Sequence, residues 1–393
     1  MLVVHNAYQQ RGGEDAVVEA EVELLRSHGH EVVLYQRSND DIEQMPRAAV
    51  AVQTLWSTRT TREITRLIAT FGPAVVHVHN TLPLISPSVY WAASRARVPV
   101  VQTLHNFRLL CPQALMLRDN RVCEDCVGHV PWRAVRHACY RGSATQSAVV
   151  ATLLQGHRVL GTWQNRITRY IALNDFCRDK FIAGGLPIDR LRVKPNFVDV
   201  ALTQDATTAR RGFLFVGRLS VEKGIGTLAD AMRHLSVHCK LRVIGGGPEQ
   251  ALLADVENIE LQGPRSPAEV LGGMRSAQAL VVPSIWYENF PRTIVEGFAC
   301  GLPIIASRIG ALESLVREGV TGLLFEPGNA TDLASKLSWA QQNPDEMVTM
   351  GKNARAYYEE HLTGAANYPQ LLAIYDDAIH AVRTDGKLAR SES

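Results

Sequence analysis

The stretch from Val281 to Gly301, with the sequence VVPSIWYENFPRTIVEGFACG, constrains the fold more than any other part of the chain. It opens with a short apolar run, which is typical of a buried parallel strand. Because Pro291 has a fixed φ and no N–H, it suits the first turn of a helix, and we predict a helix from Pro291 to about Ala299. Gly301 and Pro303 then end this helix. The stretch therefore predicts a strand, a loop and a helix, the repeating unit of an α/β domain.

Two carboxylates flank the predicted helix start, because Glu288 lies in the loop and Glu296 lies on the helix. We expect the backbone N–H groups of Asn289, Phe290 and the following residues to Thr293 to be the unpaired donors of the helix start, which makes a natural phosphate site. A diphosphate joined to a ribose and a sugar would fit a phosphate site with an acid on either side. The alternative is a surface helix whose two glutamates have no shared function.

The residues around these glutamates resemble the donor-site signature of the retaining glycosyltransferases of family four. The pattern Glu-Asn-Phe-Pro-x4-Glu-Gly-x-Ala-x-Gly-x-Pro-Ile-Ile-Ala-Ser runs from Glu288 to Ser307. The resemblance covers nearly the whole chain and is strongest from Phe213 to Phe325. It implies an α/β architecture of the GT-B type, with two Rossmann-like domains facing a central cleft and a C-terminal helix that crosses back to the first domain.

A loop after the predicted strand Phe213 to Val216 carries two cations, Arg218 and Lys223, with a glycine beside each. Arginine can bridge phosphate oxygens, while lysine acts as a point charge, so this loop suits a diphosphate. It resembles the Gly-Arg-x4-Lys-Gly segment of the family, whose Arg and Lys neutralise the leaving diphosphate. The alternative is an exposed basic loop.

In the first half of the chain, Gly12 and Gly13 lie between the strand Leu2 to Val4 and a predicted helix from about Asp15 to His28. Paired glycines let the backbone approach a ligand, although a plain tight turn explains them equally well. In the resembled family this loop faces the cleft and approaches the donor diphosphate and the acceptor. Both glycines are therefore candidate substrate-binding residues.

Strands alternate with helical patterns up to about residue 174, which predicts a parallel sheet. His105 follows the strand Val98 to Leu104, at the end where ligands bind in open α/β sheets. His77 and His79 lie inside a strand, and we interpret them as structural. The segment that holds His105, Thr-Leu-His-Asn, matches the family's Thr-x-His-Asp/Asn, whose His contacts the donor sugar. His105 is therefore a candidate catalytic residue.

Four cysteines, Cys111, Cys123, Cys126 and Cys139, lie in a long loop between about Asn106 and Arg141. Four thiolates could hold a structural Zn²⁺ in a tetrahedron. A subset of the resembled family carries similar cysteines. The alternatives are four reduced thiols or a Cys123–Cys126 redox pair. For catalysis no metal is expected, because no Asp-x-Asp occurs in the chain.

Residues 127–174 contain no Asp or Glu and have a largely apolar middle. The same stretch carries six arginines: Arg133, Arg136, Arg141, Arg158, Arg166 and Arg169. This combination suits an anionic membrane surface or an anionic lipid-linked acceptor. A buried helix with a solvated basic rim explains it equally well.

The overall charge and the chain start bear on partners and location. The net charge of +2 is too small to indicate a nucleic-acid partner. The chain opens directly with a strand, and we recognise no secretion signal before it. No apolar run approaches the roughly 18 residues of a membrane span. Seven cysteines in a chain without a secretion signal indicate reduced thiols. We therefore expect reduced thiols and a cytoplasmic protein, peripheral on the inner face of the membrane.

The predicted domains are an acceptor-side domain over residues 1–199, a linker over 200–211, a nucleotide-sugar-binding domain over 212–366, a crossover helix over 367–384 and a disordered tail over 385–393. The predicted function is a retaining glycosyltransferase that moves a sugar from a nucleotide-sugar donor to a glycan or polyprenyl-linked acceptor in cell-surface polysaccharide synthesis. Arg218, Lys223 and the helix start would stabilise the leaving diphosphate. Glu296 would bind the ribose, and Glu288 the donor sugar.

Two other functions stay open: a nucleotide-sugar epimerase of the same fold, and a non-catalytic GT-B subunit of a glycan-assembly complex. Such a subunit would be expected to lose Arg218, Lys223 or one of the two glutamates, and all are present. An NAD oxidoreductase is disfavoured, because the third glycine of the G-x-G-x-x-G fingerprint would fall on Gln250.

Overall fold

A computed structural model describes residues 1–10, 12–200 and 210–391, with side chains described up to residue 384. Its contacts divide the chain into two compact units. The first unit comprises Met1–Leu115, Glu124–Pro195 and Asn367–Ser393, and the second comprises Met116–Cys123 and Asn196–Ala366. The chain therefore passes between the units close to the predicted domain ends at residues 199 and 366. Most of the predicted linker, residues 201–209, lies outside the described residues.

The first unit is built on six parallel strands: β1 (Leu2–Ala7), β2 (Val33–Ser38), β3 (Val76–Val78), β4 (Val100–Thr103), β7 (Arg169–Ala172) and β8 (Leu191–Val193). They lie in the order β2-β1-β3-β4-β7-β8. The central strands are largely buried, as expected of a parallel sheet covered on both faces, although they carry polar residues such as His77 and Gln102. The short edge strand β8 was not predicted, because three residues give too weak a pattern.

Eight helices connect these strands: α1 (Gly13–Ser27), α2 (Arg47–Leu55), α3 (Thr58–Phe71), α4 (Ser88–Arg95), α5 (Trp132–Arg136), α6 (Ala144–Val159), α7 (Thr162–Asn165) and α8 (Asp175–Ala183). Side chains of Ser57, Ser143 and Asn174 accept hydrogen bonds from the first turns of α3, α6 and α8. Such caps satisfy amide groups that a helix leaves unpaired, so these polar residues fix where the helices begin. Short 3₁₀ turns lie at Asn39–Gln44, Phe107–Leu109 and Ile188–Arg190.

A small antiparallel hairpin, β5 (Leu117–Arg118) and β6 (Arg121–Val122), is grouped with the second unit. Its two-residue turn is Asp119-Asn120, with φ angles of 51° and 57°. Two-residue hairpin turns favour positive φ at both positions, and Asp and Asn tolerate it better than most residues do. The turn chemistry therefore accounts for the hairpin.

The second unit is a six-stranded parallel sheet: β9 (Phe213–Val216), β10 (Leu241–Ile244), β11 (Ile259–Gly263), β12 (Ala279–Val282), β13 (Ile304–Ser307) and β14 (Gly322–Phe325). The order is β11-β10-β9-β12-β13-β14, which is the order of a Rossmann sheet. In such sheets ligands bind where the strand order reverses, here between β9 and β12. The predicted phosphate-binding loop follows β9, and the predicted phosphate-binding helix follows β12.

Helices cover both faces of this sheet: α9 (Ile225–Arg233), α10 (Ala251–Ala254), α11 (Pro267–Ser276), α12 (Arg292–Ala299), α13 (Ala311–Leu315), α14 (Ala330–Gln342) and α15 (Pro344–His361). Two 3₁₀ turns lie at Val221–Lys223 and Pro248–Gln250. Helix α12 follows Pro291 and ends at Ala299, as the sequence predicts. Two apolar clusters, one on each face, form the core of the unit.

The last helix, α16 (Gly364–Ser391), starts in the second unit and belongs to the first from Asn367 onward. Its buried face adds Leu371, Ile374 and Tyr375 to the core of the first unit. The predicted crossover helix over 367–384 is thus present and extends to Ser391, while residues 392–393 of the predicted tail lie outside the described residues. Within the described chain, we find no helix with both the length and the apolar character that a bilayer crossing requires.

Candidate functional site

The loop after β9 is held close to neighbouring strands by glycines. A Cβ on Gly224, where φ is 71°, would lie 1.8 Å from the carbonyl oxygen of Pro283. A Cβ on Gly245 would lie 1.9 Å from the carbonyl oxygen of Gly217. Only glycine permits such approaches. The first approach seats the loop against the end of β12, so that Lys223 reaches the segment after that strand, and the second seats it against the end of β10.

Glu288 and Lys223 form an ion pair at this position. The Nζ atom of Lys223 lies 2.5 Å from Oε1 of Glu288, and the hydroxyl of Ser284 donates to the same oxygen at 2.7 Å. Glu288 is buried, and a buried carboxylate needs such partners. The Lys223 ammonium also lies 5.5 Å from the ring centroid of Trp286, within the range of a cation–π contact.

Arg218 is anchored at one end and open at the other. Its guanidinium contacts Glu222 and Ser220, yet 67% of its side chain is exposed. Burial of Glu222 raises its pKa, but hydrogen bonds from Ser220 and Arg218 outweigh this and hold the pKa below its ordinary value. Glu222 is therefore charged, and it holds a guanidinium whose remaining N–H groups can meet an anion.

Helix α12 presents its positive end beside these groups. Pro291 precedes the helix and offers no side-chain cap to the first amides. Asn289 is buried and Phe290 is half-buried in the loop before it. One turn into the helix, Glu296 accepts a hydrogen bond from Nε of Arg292 at 2.8 Å. A helix start without a side-chain cap, together with the helix dipole, favours a phosphate group here.

In the first unit, His105 follows β4 and lies against His79, with 2.8 Å between Nδ1 of His79 and Nε2 of His105. Burial lowers the pKa of His105 to about 3, so this imidazole is neutral at neutral pH. His77 lies between the hydroxyls of Thr103 and Tyr375, at 2.8 and 2.7 Å, which fits the predicted structural role. His79 instead touches the candidate catalytic residue.

The two glycines predicted to bind substrate lie at the start of α1. The amide of Gly12 donates to Oδ2 of Asp15 at 2.7 Å, so that N–H is already engaged. Gly13 is the first residue of α1, and a Cβ added there would meet no atom within 4 Å. Gly13 therefore has the space for a ligand, while Gly12 serves the helix start. A role of either in substrate binding stays a prediction.

The family of glycosyl transferases group 1 matches residues 205–357, and a glycosyl transferase 4-like domain matches residues 12–196. The chain belongs to the group 1 glycosyltransferases. Within this family fold, the second unit holds Arg218, Lys223, Glu288, Asn289, Phe290, Pro291 and Glu296. The first unit holds Gly12, Gly13 and His105.

Among curated relatives, an uncharacterized glycosyltransferase from Methanocaldococcus jannaschii is 38% identical over 37% of this chain and 42% of its own length. A phosphatidyl-myo-inositol mannosyltransferase from Mycobacterium leprae is 29% identical over 60% of this chain and 65% of its own length. The chain thus spans less than two thirds of these relatives.

Solved structures share the fold. Sucrose-phosphate synthase from Thermosynechococcus elongatus superposes with a TM-score of 0.70 at 19% identity, covering 97% of this chain and 99% of its own. Anabaena HepE in complex with UDP superposes with a TM-score of 0.66 at 17% identity, covering 95% and 98%. At this identity, the match establishes the GT-B architecture of this group 1 glycosyltransferase.

The four cysteines predicted to bind zinc form no disulfide bonds among the described residues. Among the described residues, one group of three metal-ligating side chains brings its ligand atoms within 4.8 Å of one another, and it consists of Glu21, His77 and His79. Three cysteine sulfurs do not converge in this way in the part of the chain that the structure describes. Zinc binding would therefore need a rearrangement of the loop, and it stays a prediction.

The basic stretch of residues 127–174 divides into engaged and exposed arginines. Arg169 donates twice to Asp377, at 2.8 Å each, and Arg166 stacks 4.1 Å from the ring centroid of Trp91. These two arginines are therefore engaged in contacts within the protein, so the basic stretch does not form a uniformly exposed basic surface. Arg133, Arg136 and Arg141 are exposed.

Several site residues were not predicted. Glu222 and Ser284, which hold Arg218 and Glu288, carry no motif of their own, although the four-residue spacing of Arg218 and Glu222 is a known pairing signal. Lys194 and Glu21, 173 positions apart, form a buried ion pair below His79 with 2.7 Å between Nζ and Oε1. No local pattern reveals a pair of this separation.

Proposed function

We propose that the protein is a retaining glycosyltransferase that uses a nucleotide-sugar donor. The observation that carries this is the grouping of Arg218, Lys223 and the start of α12 at the reversal point of the second sheet. Cations and a helix start are the groups that a leaving nucleoside diphosphate needs. Glu288 and Glu296 add hydrogen-bond acceptors for polyol hydroxyls. The UDP and UDP-glucose complexes of HepE support a donor of this class.

The geometry favours substitution without a covalent enzyme intermediate. A nucleophilic carboxylate must be free to attack the anomeric carbon. Glu288, which lies beside the diphosphate-binding groups, is instead held by Lys223 and Ser284 through one oxygen. We propose that the anomeric bond to the diphosphate breaks as the acceptor oxygen bonds to the same face. The acceptor proton then passes to an oxygen of the leaving phosphate, so the product retains its configuration.

During this step Arg218 and Lys223 stabilise the charge that grows on the diphosphate. In the structure the Lys223 charge is balanced by Glu288, so Lys223 is positioned before the donor arrives. Glu296 binds the ribose, and the second oxygen of Glu288 binds the sugar. We propose that His105 contacts a hydroxyl group of the donor sugar. We propose that no metal takes part in catalysis.

For the acceptor we propose a glycan or polyprenyl-linked substrate at the inner face of the membrane, in the synthesis of a cell-surface polysaccharide. The support is a surface that we call the apolar–basic patch, which comprises Val130, Trp132, Arg133, Arg136, Val159 and Leu160. Arg158 donates to the carbonyl of His129 at 3.1 Å and so joins the two segments of the patch. Exposed tryptophan and aliphatic side chains beside arginines suit an anionic lipid surface.

The test is a thermal-stability screen of the purified protein with UDP, GDP, ADP and their sugars. A donor at 100 times its dissociation constant should stabilise the protein by about 2.7 kcal/mol. Transfer is then measured with that donor, and NMR of the product reports the anomeric configuration. Isomerised sugar without transfer would identify an epimerase, and binding without turnover a non-catalytic subunit. An inverted linkage would reject the retaining mechanism.

A further inference from the structure

Three buried groups, Lys194, Glu21 and His79, form a continuous chain of contacts beneath His105 in the first unit. The Nζ atom of Lys194 lies 2.7 Å from Oε1 of Glu21, and Oε2 of Glu21 lies 3.5 Å from Nε2 of His79. Nδ1 of His79 lies 2.8 Å from Nε2 of His105. Lys194, Glu21 and His79 are 0%, 1% and 3% exposed, so water does not screen these contacts.

Glu21, which lies between Lys194 and His79 in this chain of contacts, is charged. Burial alone would favour the neutral acid, but the Lys194 ammonium, together with His77, holds the pKa of Glu21 below its ordinary value. In the part of the chain that the structure describes, neither Oε2 of Glu21 nor Nε2 of His79 has a hydrogen-bond partner, so their 3.5 Å contact is purely electrostatic. The negative oxygen therefore faces the ring nitrogen of His79 directly.

This contact decides where His79 carries its proton. Burial lowers the pKa of His79 well below its ordinary value, so the ring is neutral and holds one proton. A proton on Nε2 is attracted to the carboxylate at 3.5 Å, whereas a bare lone pair there would be repelled by it. The proton therefore lies on Nε2, and Nδ1 of His79 is an acceptor.

His105 must then donate across the 2.8 Å contact through Nε2–H. Since this ring is also neutral, its Nδ1 atom carries a lone pair. We propose that Glu21 and His79 are positioning residues that fix His105 in the Nε2–H form, so that Nδ1 accepts a hydrogen bond from a hydroxyl group of the donor sugar. The tautomer of His105 follows from these buried contacts alone, while the assignment of the hydroxyl to a donor sugar rests on the proposed function.

The same residues do not favour a metal ion. His77, the third member of the group with Glu21 and His79, uses Nδ1 in a 2.7 Å contact with the hydroxyl of Tyr375. Lys194 already neutralises Glu21, and its ammonium would repel a cation bound to the other oxygen. The arrangement is therefore a chain that orients His105.

The test is an NMR measurement of ring nitrogens in the full-length protein labelled with ¹⁵N-histidine, with His105 assigned from the spectrum of His105→Gln. We expect Nδ1 of His105 to resonate as an unprotonated nitrogen and Nε2 as a protonated one. UDP-glucose, GDP-mannose or ADP-glucose, whichever stabilises the protein most, should shift Nδ1, while the matching nucleoside diphosphate should not. A protonated Nδ1 in the wild-type protein overturns the inference whatever the activity.

Glu21→Gln provides a second readout. Lys194 should hold the amide oxygen of the new side chain and turn its NH₂ toward His79, which reverses both ring tautomers and leaves His105 protonated on Nδ1. We expect kcat/KM for the donor to fall about fivefold to tenfold, the size of one hydrogen bond. The control is Tyr375→Phe, which removes a contact of His77 and should leave the His105 tautomer unchanged. A Glu21→Gln spectrum with the wild-type tautomer contradicts the inference.

The experiments distinguish a failure of the proposed function from a failure of the inference about His105. If no nucleotide sugar binds, the proposed function and the hydroxyl contact fall together, and the wild-type spectrum still decides the tautomer. If a nucleotide sugar binds and is turned over but Nδ1 of His105 does not respond to it, the hydroxyl contact is wrong and the proposed function stands.

Discussion

Lys223 and Glu288, 65 positions apart in the chain, meet with 2.5 Å between ammonium and carboxylate. The pair is partly buried, so each charge offsets the desolvation of the other. When a diphosphate binds, the ammonium of Lys223 can donate to it and still keep its hydrogen bond to Glu288, because a lysine ammonium has three N–H donors. The pair therefore presets a cation at the place where we propose that negative charge grows during the reaction.

The leaving-group mechanism predicts large losses of turnover from two alanine variants. Arg218→Ala and Lys223→Ala should each lower kcat by roughly 10²–10³, because each removes a charge contact made most strongly in the transition state. Arg218 is mostly exposed, so its variant should unfold at the same temperature as the wild type. Lys223→Ala should also lose about 1–3 kcal/mol of stability, because it leaves the buried Glu288 without its cation.

Steady-state kinetics and thermal unfolding check this prediction. Arg265→Ala is the matched control, since Arg265 is an exposed arginine of the second unit paired with Glu269. EDTA should have little effect on the wild type. Full activity in both variants, or complete loss of activity with EDTA, would remove the mechanism.

The two glutamates of the donor site should separate by ligand. Glu296 lies on α12 and Glu288 lies before it, next to Lys223. We expect Glu296→Ala to weaken binding of the nucleoside diphosphate about tenfold or more, the cost of losing charge-assisted hydrogen bonds to the ribose. Glu288→Ala should nearly preserve nucleotide binding and impair use of the sugar. Calorimetry with nucleotide alone decides, and equal losses in both variants would contradict the assignment.

The sequence predicts the grouping of Lys223, Glu288 and α12 better than it predicts the buried contacts around His105, for a physical reason. Lys223, Glu288 and α12 come from segments with glycine, proline and charge in fixed local order, and local order is visible in a sequence. The side-chain contacts that lead from Lys194 to His105 join residues on several different helices, strands and loops. A buried polar network depends on which side chains the fold brings together, so no spacing predicts it. His79 was accordingly interpreted as structural.

Glu14 predicts a pH dependence of stability. Burial is the main cause that raises its pKa from 4.5 to about 7, with repulsion from Asp15 adding to it. The folded state thus favours the protonated acid. The stability that this contributes is fully present below pH 4.5 and is lost as the pH rises through about 7.

Glu14→Gln removes this titration while keeping the shape of the side chain. We expect the variant to match the wild type at pH 4.5 and to exceed its free energy of unfolding at pH 8 by up to about 3 kcal/mol. Denaturant unfolding at both pH values measures the difference. Glu23→Gln, on the exposed face of the same helix, is the control and should change nothing. A difference that does not depend on pH would show that Glu14 is ionised in the folded protein throughout.

The apolar–basic patch predicts salt-sensitive binding to anionic vesicles. A basic side chain near such a surface contributes about 1 kcal/mol, and salt screens it. Flotation with phosphatidylserine vesicles should recover the wild type at low salt and less of it at high salt. Trp132→Ser and Arg136→Ala should each reduce recovery several-fold, while Arg62→Ala, an exposed arginine of α3, should not. Equal recovery with anionic and neutral vesicles counts against the patch.

We predict that a metal ion orders the cysteine loop, which comprises residues 106–141. Where the backbone is described, six of the eight non-glycine residues with positive φ lie between Ala114 and Arg141. Such backbone costs roughly 1–2 kcal/mol per residue and persists only where the surroundings enforce it. Several apolar side chains of this loop are buried, with Phe107, Leu110 and Met116 at 2% exposure or less, so packing supports only part of the loop. A Zn²⁺ held by Cys111, Cys123, Cys126 and Cys139 would supply the missing constraint, provided the loop rearranges to bring the thiolates together.

Elemental analysis of protein purified without added metal tests this directly, and the prediction is about one zinc per chain, as one Cys₄ site would hold. Cys123→Ser should release the metal and make the segment after His105 more accessible to limited proteolysis, because the loop loses the bonds that join its two ends. Cys239→Ala, in the core of the second unit, removes a thiol without touching the loop and should keep the zinc. Freshly purified, active protein with no zinc would end the idea and leave four reduced thiols as the correct interpretation.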